Sequence, residues 1–87
     1  MTKDVKYFMM ANCPYCREAD RWIEELKEEN EAYRNIEMEI TDERFNMDYA
    51  EKFDYYYVPT FYVDGVKIHE GAATKEKIRQ VLELINN

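Results

Sequence analysis

The stretch Val5-Lys6-Tyr7-Phe8-Met9-Met10-Ala11-Asn12-Cys13-Pro14-Tyr15-Cys16 decides the reading of this chain. Val5 to Met10 is mostly apolar and β-prone at its start, as suits a strand covered on both faces. Asn12-Cys13-Pro14 interrupts it. Pro14 fits the first position of a helix, because the N–H it lacks would be unpaired there anyway. From Pro14 to about Asn30 the apolar residues fall at Ala19, Trp22, Ile23 and Leu26. That spacing of i, i+3, i+4, i+7 is one stripe of a helix, and it predicts Trp22 in the core. A strand, a turn holding one cysteine and a helix holding a second follow one another directly.

Beyond the helix, Ile36-Glu37-Met38-Glu39-Ile40 alternates as a half-exposed strand does. Thr41 is placed to cap a second helix, and Asp42 and Glu43 suit the positive end of its dipole. Phe45, Tyr49 and Phe53 would line one face of it. Val58-Pro59-Thr60 leads into a third strand, Phe61-Tyr62-Val63. Asp64-Gly65 is a two-residue hairpin signal, with Val66-Lys67-Ile68 as the return strand. Gly71 breaks the pattern, and Thr74 caps a last helix with the stripe Ile78, Val81, Leu82 and Ile85. The order is β-α-β-α-β-β-α. A right-handed first crossover gives a parallel pair and the hairpin an antiparallel one. The expected fold is α/β, a four-stranded mixed sheet with helices on both faces. No repeat, low-complexity tract or linker interrupts it.

The 87 residues suffice for one domain, spanning 1–87, and 46% of them are hydrophobic. Twelve Lys and Arg stand against nineteen Asp and Glu, a net charge of −7. Such a surface repels nucleic acid and anionic membrane, so neither is expected as a partner. The acid-rich run Glu24 to Glu31 reads as a solvated helix face, or as a surface that steers a basic partner. Met1-Thr2-Lys3-Asp4 opens no secretory signal, and no apolar run is long enough to span a membrane. The expectation is a soluble, cytoplasmic monomer.

Two cysteines in a reducing compartment make a poor structural staple, and a bridge across Cys-x-x-Cys closes too small a loop to constrain the unfolded chain much. At a helix N-terminus the unpaired N–H groups and partial positive charge favour a thiolate at Cys13. Cys16, nearly one turn later, could resolve a mixed disulfide formed there. This makes Cys13 the attacking thiol and Cys16 the resolving one, with Tyr15 beside them to flank a bound thiol. The competing reading is a metal or iron–sulfur cluster module. Zinc needs about four ligands, and His69 alone is left to join the cysteines, so no metal is expected. His69 reads as a surface or partly packed residue. Val58-Pro59 admits two readings: an ordinary trans proline opening a strand, or a cis proline presenting Val58 backbone groups to an extended thiol peptide.

At this point the chain resembles the glutaredoxin family. Cys13-Pro14-Tyr15-Cys16 is that family's dithiol motif, and Val58-Pro59-Thr60-Phe61 matches its Val-Pro segment. The resemblance implies a thioredoxin-like fold of strand order 2-1-3-4, a cis peptide before Pro59 and dithiol redox chemistry. The residues expected around a bound substrate or glutathione are Tyr15, Arg17, Val58, Pro59, Thr60 and Gly71. No cofactor is implied beyond glutathione as a co-substrate.

The chain departs from that pattern at three places. Met9-Met10-Ala11-Asn12 lacks the family's lysine before the first cysteine. Tyr55-Tyr56-Tyr57 stands where Arg or Gln is usual. Glu70-Gly71-Ala72-Ala73-Thr74-Lys75 replaces the Gly-Gly segment that grips glutathione, and Gly71-Ala72 is more similar to the closing segment of thioredoxins. Losing two charge-assisted hydrogen bonds would weaken glutathione by about two to four orders of magnitude, unless Arg17, Lys75 or Thr74 substitutes. Arg17 is the best placed of these, though it reads equally well as a solvent-exposed helix residue. Two functions follow. One is a glutaredoxin-like enzyme acting on protein or glutathione-mixed disulfides. The other is a glutathione-independent redoxin, reduced by a thioredoxin-type reductase and donating electrons to a reductase or peroxidase.

Overall fold

The computed structural model describes residues 3–87. Met1 and Thr2, part of the segment read above for a secretory signal, lie outside the described residues. Strand β1 (Val5–Met9) occupies an inner position of a four-stranded sheet of order β2-β1-β3-β4. It pairs in parallel with β2 (Glu39–Asp42), Phe8 opposite Thr41. On its other side it runs antiparallel to β3 (Thr60–Val63), Phe8 opposite Thr60. β3 pairs with β4 (Val66–Glu70) through the predicted hairpin, with a register shift between Phe61 and Tyr62. Asp64 and Gly65 have φ of 50° and 83°, the positive values that a tight two-residue turn requires. The expected topology is the observed one, with β4 reaching two residues further than the apolar pattern suggested.

The apolar reading of β1 follows from its two covered faces. Val5 and Tyr7 pack with Ala19, Ile23 and Leu26 of α1 (Pro14–Glu29) and with the Ile78, Val81, Leu82 and Ile85 stripe of α3 (Lys75–Asn86). The Tyr7 ring stacks on Phe61, with centroids 4.5 Å apart. Phe8 points to the other face, into a cluster with Ala50, Tyr62, Tyr49, Phe53, Tyr55 and Val58. Helix ends are closed as side-chain chemistry predicts. The Thr74 hydroxyl accepts the N–H of Lys77 at 3.1 Å, and the Asn30 side chain accepts the N–H of Ala32 to start a short 3-10 turn, Glu31–Tyr33. The Tyr33 hydroxyl then donates to Glu83 at 2.6 Å, tying that turn to α3.

The structure corrects the sequence reading between residues 36 and 53. The ladder with β1 starts only at Lys6–Glu39 and ends at Met9–Asp42. Ile36 and Met38 still pack on the core as the chain approaches, which produces the alternation without a strand. Thr41 is therefore a buried strand residue rather than a helix cap. The second helix, α2, is one turn, Met47–Ala50, entered from Asn46. Residues 43–46 form a turn instead. In it the Asp42 carboxylate accepts the N–H of Arg44, and the Asn46 amide donates to the Asp42 carbonyl. Phe45 leaves the predicted stripe and is 76% exposed, while Tyr49 and Phe53 keep their places against Phe8. Trp22 is half-buried rather than enclosed: it packs on the edge of the core, with the Arg21 guanidinium 5.8 Å from its ring centroid.

Candidate functional site: a dithiol at the end of the central strand

After β1 the backbone turns on itself, the N–H of Cys13 donating to the carbonyl of Met10 at 3.0 Å. Cys13 is the N-cap residue of α1, with Pro14 directly after it. Its extended φ of −86° and ψ of 123° suit that position, and its carbonyl accepts the N–H of Arg17 at 3.0 Å. The two thiols lie near each other but in different surroundings. Cys13 is partly exposed and Cys16 is fully buried, and no disulfide joins them. The Cys16 sulfur accepts the backbone N–H of Met10 at 3.5 Å. Burial pushes the Cys16 thiol up to about 12, Met10 opposes this, and the neighbouring Cys13 and Asp20 add to it.

Two residues that the sequence reading passed over secure this corner. The Tyr7 hydroxyl donates to the Asp20 carboxylate at 2.7 Å and lies 3.4 Å from the Cys16 carbonyl. The pair fastens the first turns of α1 onto β1. Burial, and then the Asp20 carboxylate, raise the Tyr7 hydroxyl far above the ordinary phenol range, so it stays a donor. The signal for this was a carboxylate four residues after Cys16, on the inward side of the helix.

The opposite wall is the entry to β3. The Val58–Pro59 peptide is cis rather than trans. Phe8 lies opposite Thr60, so Pro59 sits at the same end of the sheet as Met9 and the turn before Cys13. The Pro59 carbonyl accepts the N–H of Gly71 at 2.8 Å. Gly71 has φ +89°, and a Cβ there would meet Tyr57 at an ordinary 3.6 Å; the backbone angle, not crowding, calls for glycine. Thr60 is fully buried and its hydroxyl donates to the Tyr57 carbonyl, so its side chain holds the loop rather than facing a ligand.

Glu70 completes the support, and the sequence reading missed it as well. Its carboxylate accepts the backbone N–H groups of Tyr56 and Tyr57 and pairs with Lys67 at 2.7 Å. Lys67, followed by the two N–H groups, holds that carboxyl down to about 2. Of the three consecutive tyrosines only Tyr55 turns inward, stacking on Phe8 and donating to Glu43, while Tyr56 and Tyr57 stay exposed. His69 is occupied by the Gly71 carbonyl at 2.8 Å.

The other expected contacts are dispersed. Tyr15 is exposed beside the cysteines, and Val58 packs into the Phe8 cluster. Arg17 is exposed and makes no ion pair among the described residues. Among the described residues no group of three or more His, Cys, Asp or Glu is arranged to hold a metal ion, and no helix is long and apolar enough to cross a membrane.

A family model described as "Thioredoxin domain" matches residues 3–83. This chain belongs to the thioredoxin domain family. Thioredoxin-fold proteins are generally thiol–disulfide oxidoreductases, so membership gives the Cys-x-x-Cys corner a chemical setting. Solved structures agree on the fold. Thioredoxin O1 of Arabidopsis thaliana in its oxidised state is similar with a TM-score of 0.72 at 24% identity, over 99% of this chain and 79% of that one. Fasciola hepatica thioredoxin gives 0.68 at 23%, over 97% and 81%. An uncharacterised thioredoxin-like protein from Clostridium perfringens gives 0.65 at 26%, over 97% and 71%. No curated protein matches in sequence. In this chain the corner brings a partly exposed Cys13 and a buried Cys16 near each other.

Proposed function

We propose that this protein is a dithiol redoxin that reduces disulfides of other proteins, with Cys13 attacking and Cys16 resolving. The observation that carries the reading is the unequal placement of the pair: one thiol partly exposed at a helix N-terminus, the other buried nearly one turn behind it. The Cys13 thiolate attacks one sulfur of the substrate disulfide and forms a mixed disulfide, and the departing sulfur leaves as a thiol after taking a proton. Cys16 then gives up its proton and attacks the Cys13 sulfur. The mixed disulfide breaks, the Cys13–Cys16 disulfide forms, and the second substrate thiol is released. Two electrons pass from the dithiol to the substrate, which an external reductant must restore.

Two of the three groups that could replace the missing glutathione contacts are already engaged. Lys75 is paired with Glu29 at 2.6 Å and Glu25 at 3.1 Å, and Thr74 caps α3. This favours a thioredoxin-type reductase over glutathione as the electron donor. A glutaredoxin-like activity with glutathione is the second reading, favoured by the Cys13-Pro14-Tyr15-Cys16 motif and by an Arg17 that makes no ion pair among the described residues.

The experiment is regeneration of the oxidised protein by either reductant. Turnover with a thioredoxin reductase and none with glutathione supports the first reading, and the reverse outcome supports the second. Cys13→Ser is expected to lose all activity, and Cys16→Ser to trap the mixed disulfide. Full activity of Cys13→Ser on any disulfide would sink both readings.

A further inference from the structure

The face of the sheet opposite α1 and α3 carries an open cleft of about 560 Å³ beside α2. Met47, Ala50, Phe53, Tyr55 and Tyr56 give it an apolar lining, and two of these are unusually bare: Met47 is 61% exposed and Tyr56 85%. An apolar concavity kept open to water marks an interaction site more often than chance. Its rim is acidic. Glu43, Glu51 and Asp54 border it; of the nearby cations, Arg44 is paired with Asp42 at 3.0 Å, and Lys67 donates to the Asp54 carbonyl at 3.1 Å while paired with Glu70. Neither Glu51 nor Asp54 takes part in an ion pair among the described residues.

The cleft's rim is tied to the turn before Cys13 by backbone hydrogen bonds. Glu43, on its rim, donates its N–H to the carbonyl of Met9, and the N–H of Ala11 donates to the Asp42 carboxylate at 3.2 Å. On the other wall Tyr55 and Tyr56 run within a few residues into Val58–Pro59. Both walls thus begin at the sheet end from which the Cys13 turn emerges.

We propose that this cleft is the docking site for the protein substrate, and that it takes a substrate segment carrying an apolar side chain flanked by Lys or Arg. The apolar side chain seats against Met47, Phe53 and Tyr56, and the flanking cations face Glu43, Glu51 and Asp54. Complementary charge of this kind raises the rate of encounter and selects among partners. This inference rests on the disulfide-reducing reading above.

The test uses the reduced full chain and two synthetic disulfide peptides that differ only in Lys or Glu beside an apolar residue. In single-turnover reduction the Lys peptide is expected to react about tenfold faster than the Glu peptide, with the gap closing at high salt. Glu51→Lys with Asp54→Lys is expected to reverse the preference while leaving the rate on a small neutral disulfide unchanged. Met47→Ser, at an exposed position, is expected to slow both peptides equally.

A second arm separates docking from chemistry. Cys13→Ser/Cys16→Ser protein is titrated with a Lys peptide whose cysteines are replaced by serine, and amide shifts are followed at Met47, Ala50 and Phe53. Shifts there without turnover by the wild type would sink the redox reading and leave docking intact. Turnover with no charge preference and no shifts would overturn docking alone. Self-association that protects the same amides would assign the cleft to a second copy and likewise overturn it.

Discussion

The sulfur of Cys16, closed off from solvent, is held against the backbone N–H of Met10 at 3.5 Å. With its thiol pushed up to about 12, chiefly by burial, Cys16 keeps its proton across the neutral range. Iodoacetamide at about pH 8 is therefore expected to modify Cys13 and spare Cys16 until the protein is unfolded, because only a thiolate reacts. Mass spectrometry of tryptic peptides checks this. Equal labelling of both cysteines in the folded protein would contradict it.

The same rise carries a stability consequence. The folded state retains a proton that the unfolded chain releases from 9.0 upward. The contribution is complete below 9.0 and is lost as pH climbs toward about 12. Urea midpoints are expected to fall through that alkaline window, and to fall less in Cys16→Ser.

Asp20 adds negative charge beside Cys16 while accepting the Tyr7 hydroxyl. Asp20→Asn is expected to lower the Cys16 titration midpoint, since removing an anion favours the thiolate. The Cβ carbon shift of Cys16 against pH reads this directly. Tyr7→Phe keeps the ring stack on Phe61 but removes the donor to Asp20. It is expected to destabilise the fold by about 1–3 kcal/mol in urea denaturation.

Glu70 grips the loop ahead of Pro59 through Tyr56 and Tyr57. Its carboxyl is depressed, so the grip is complete above the ordinary carboxylate value and is released only as pH falls toward about 2. Glu70→Gln is expected to speed amide exchange at Tyr56 and Tyr57 and leave exchange in β1 unchanged. Equal effects at both places would mean that Glu70 supports the whole sheet rather than the loop.

Gly71 takes φ +89° while its N–H donates to Pro59. Gly71→Ala is expected to cost about 1–2 kcal/mol for the left-handed backbone alone, with no added cost from crowding. A thermal or urea melt measures it. A neutral substitution would mean the backbone can relax without losing the Pro59 contact.

The elements that were legible in the sequence carry their own local chemistry. β1 and α1 declared themselves through an apolar run, a proline and a helical stripe. The hairpin did so through Asp64-Gly65, and α3 through Thr74. The cysteine pair was legible because its position between strand and helix has meaning without any tertiary context. Residues 36–53 were not, since Ile36 and Met38 reach the core from a chain that is not yet paired. Nothing local distinguishes that from a strand. The Tyr7–Asp20 bond and the Glu70 grip were hidden for a related reason. Each joins elements that meet only in the folded molecule, and a tyrosine or a glutamate in a strand carries no mark of its distant partner. The residues around Pro59 left its isomer open, while the family resemblance implied the cis form that the structure has.

The strand order has a consequence for how the protein is made. β1 is translated first, yet one of its two neighbours, β3, comes from residues 60–63, with Val5 waiting for Val63. During synthesis both cysteines emerge from the ribosome long before the strand that flanks them exists. Closing that distant pairing is a slow step compared with forming α1. The growing chain therefore passes through an interval in which β1 leads into the cysteine turn without its β3 neighbour.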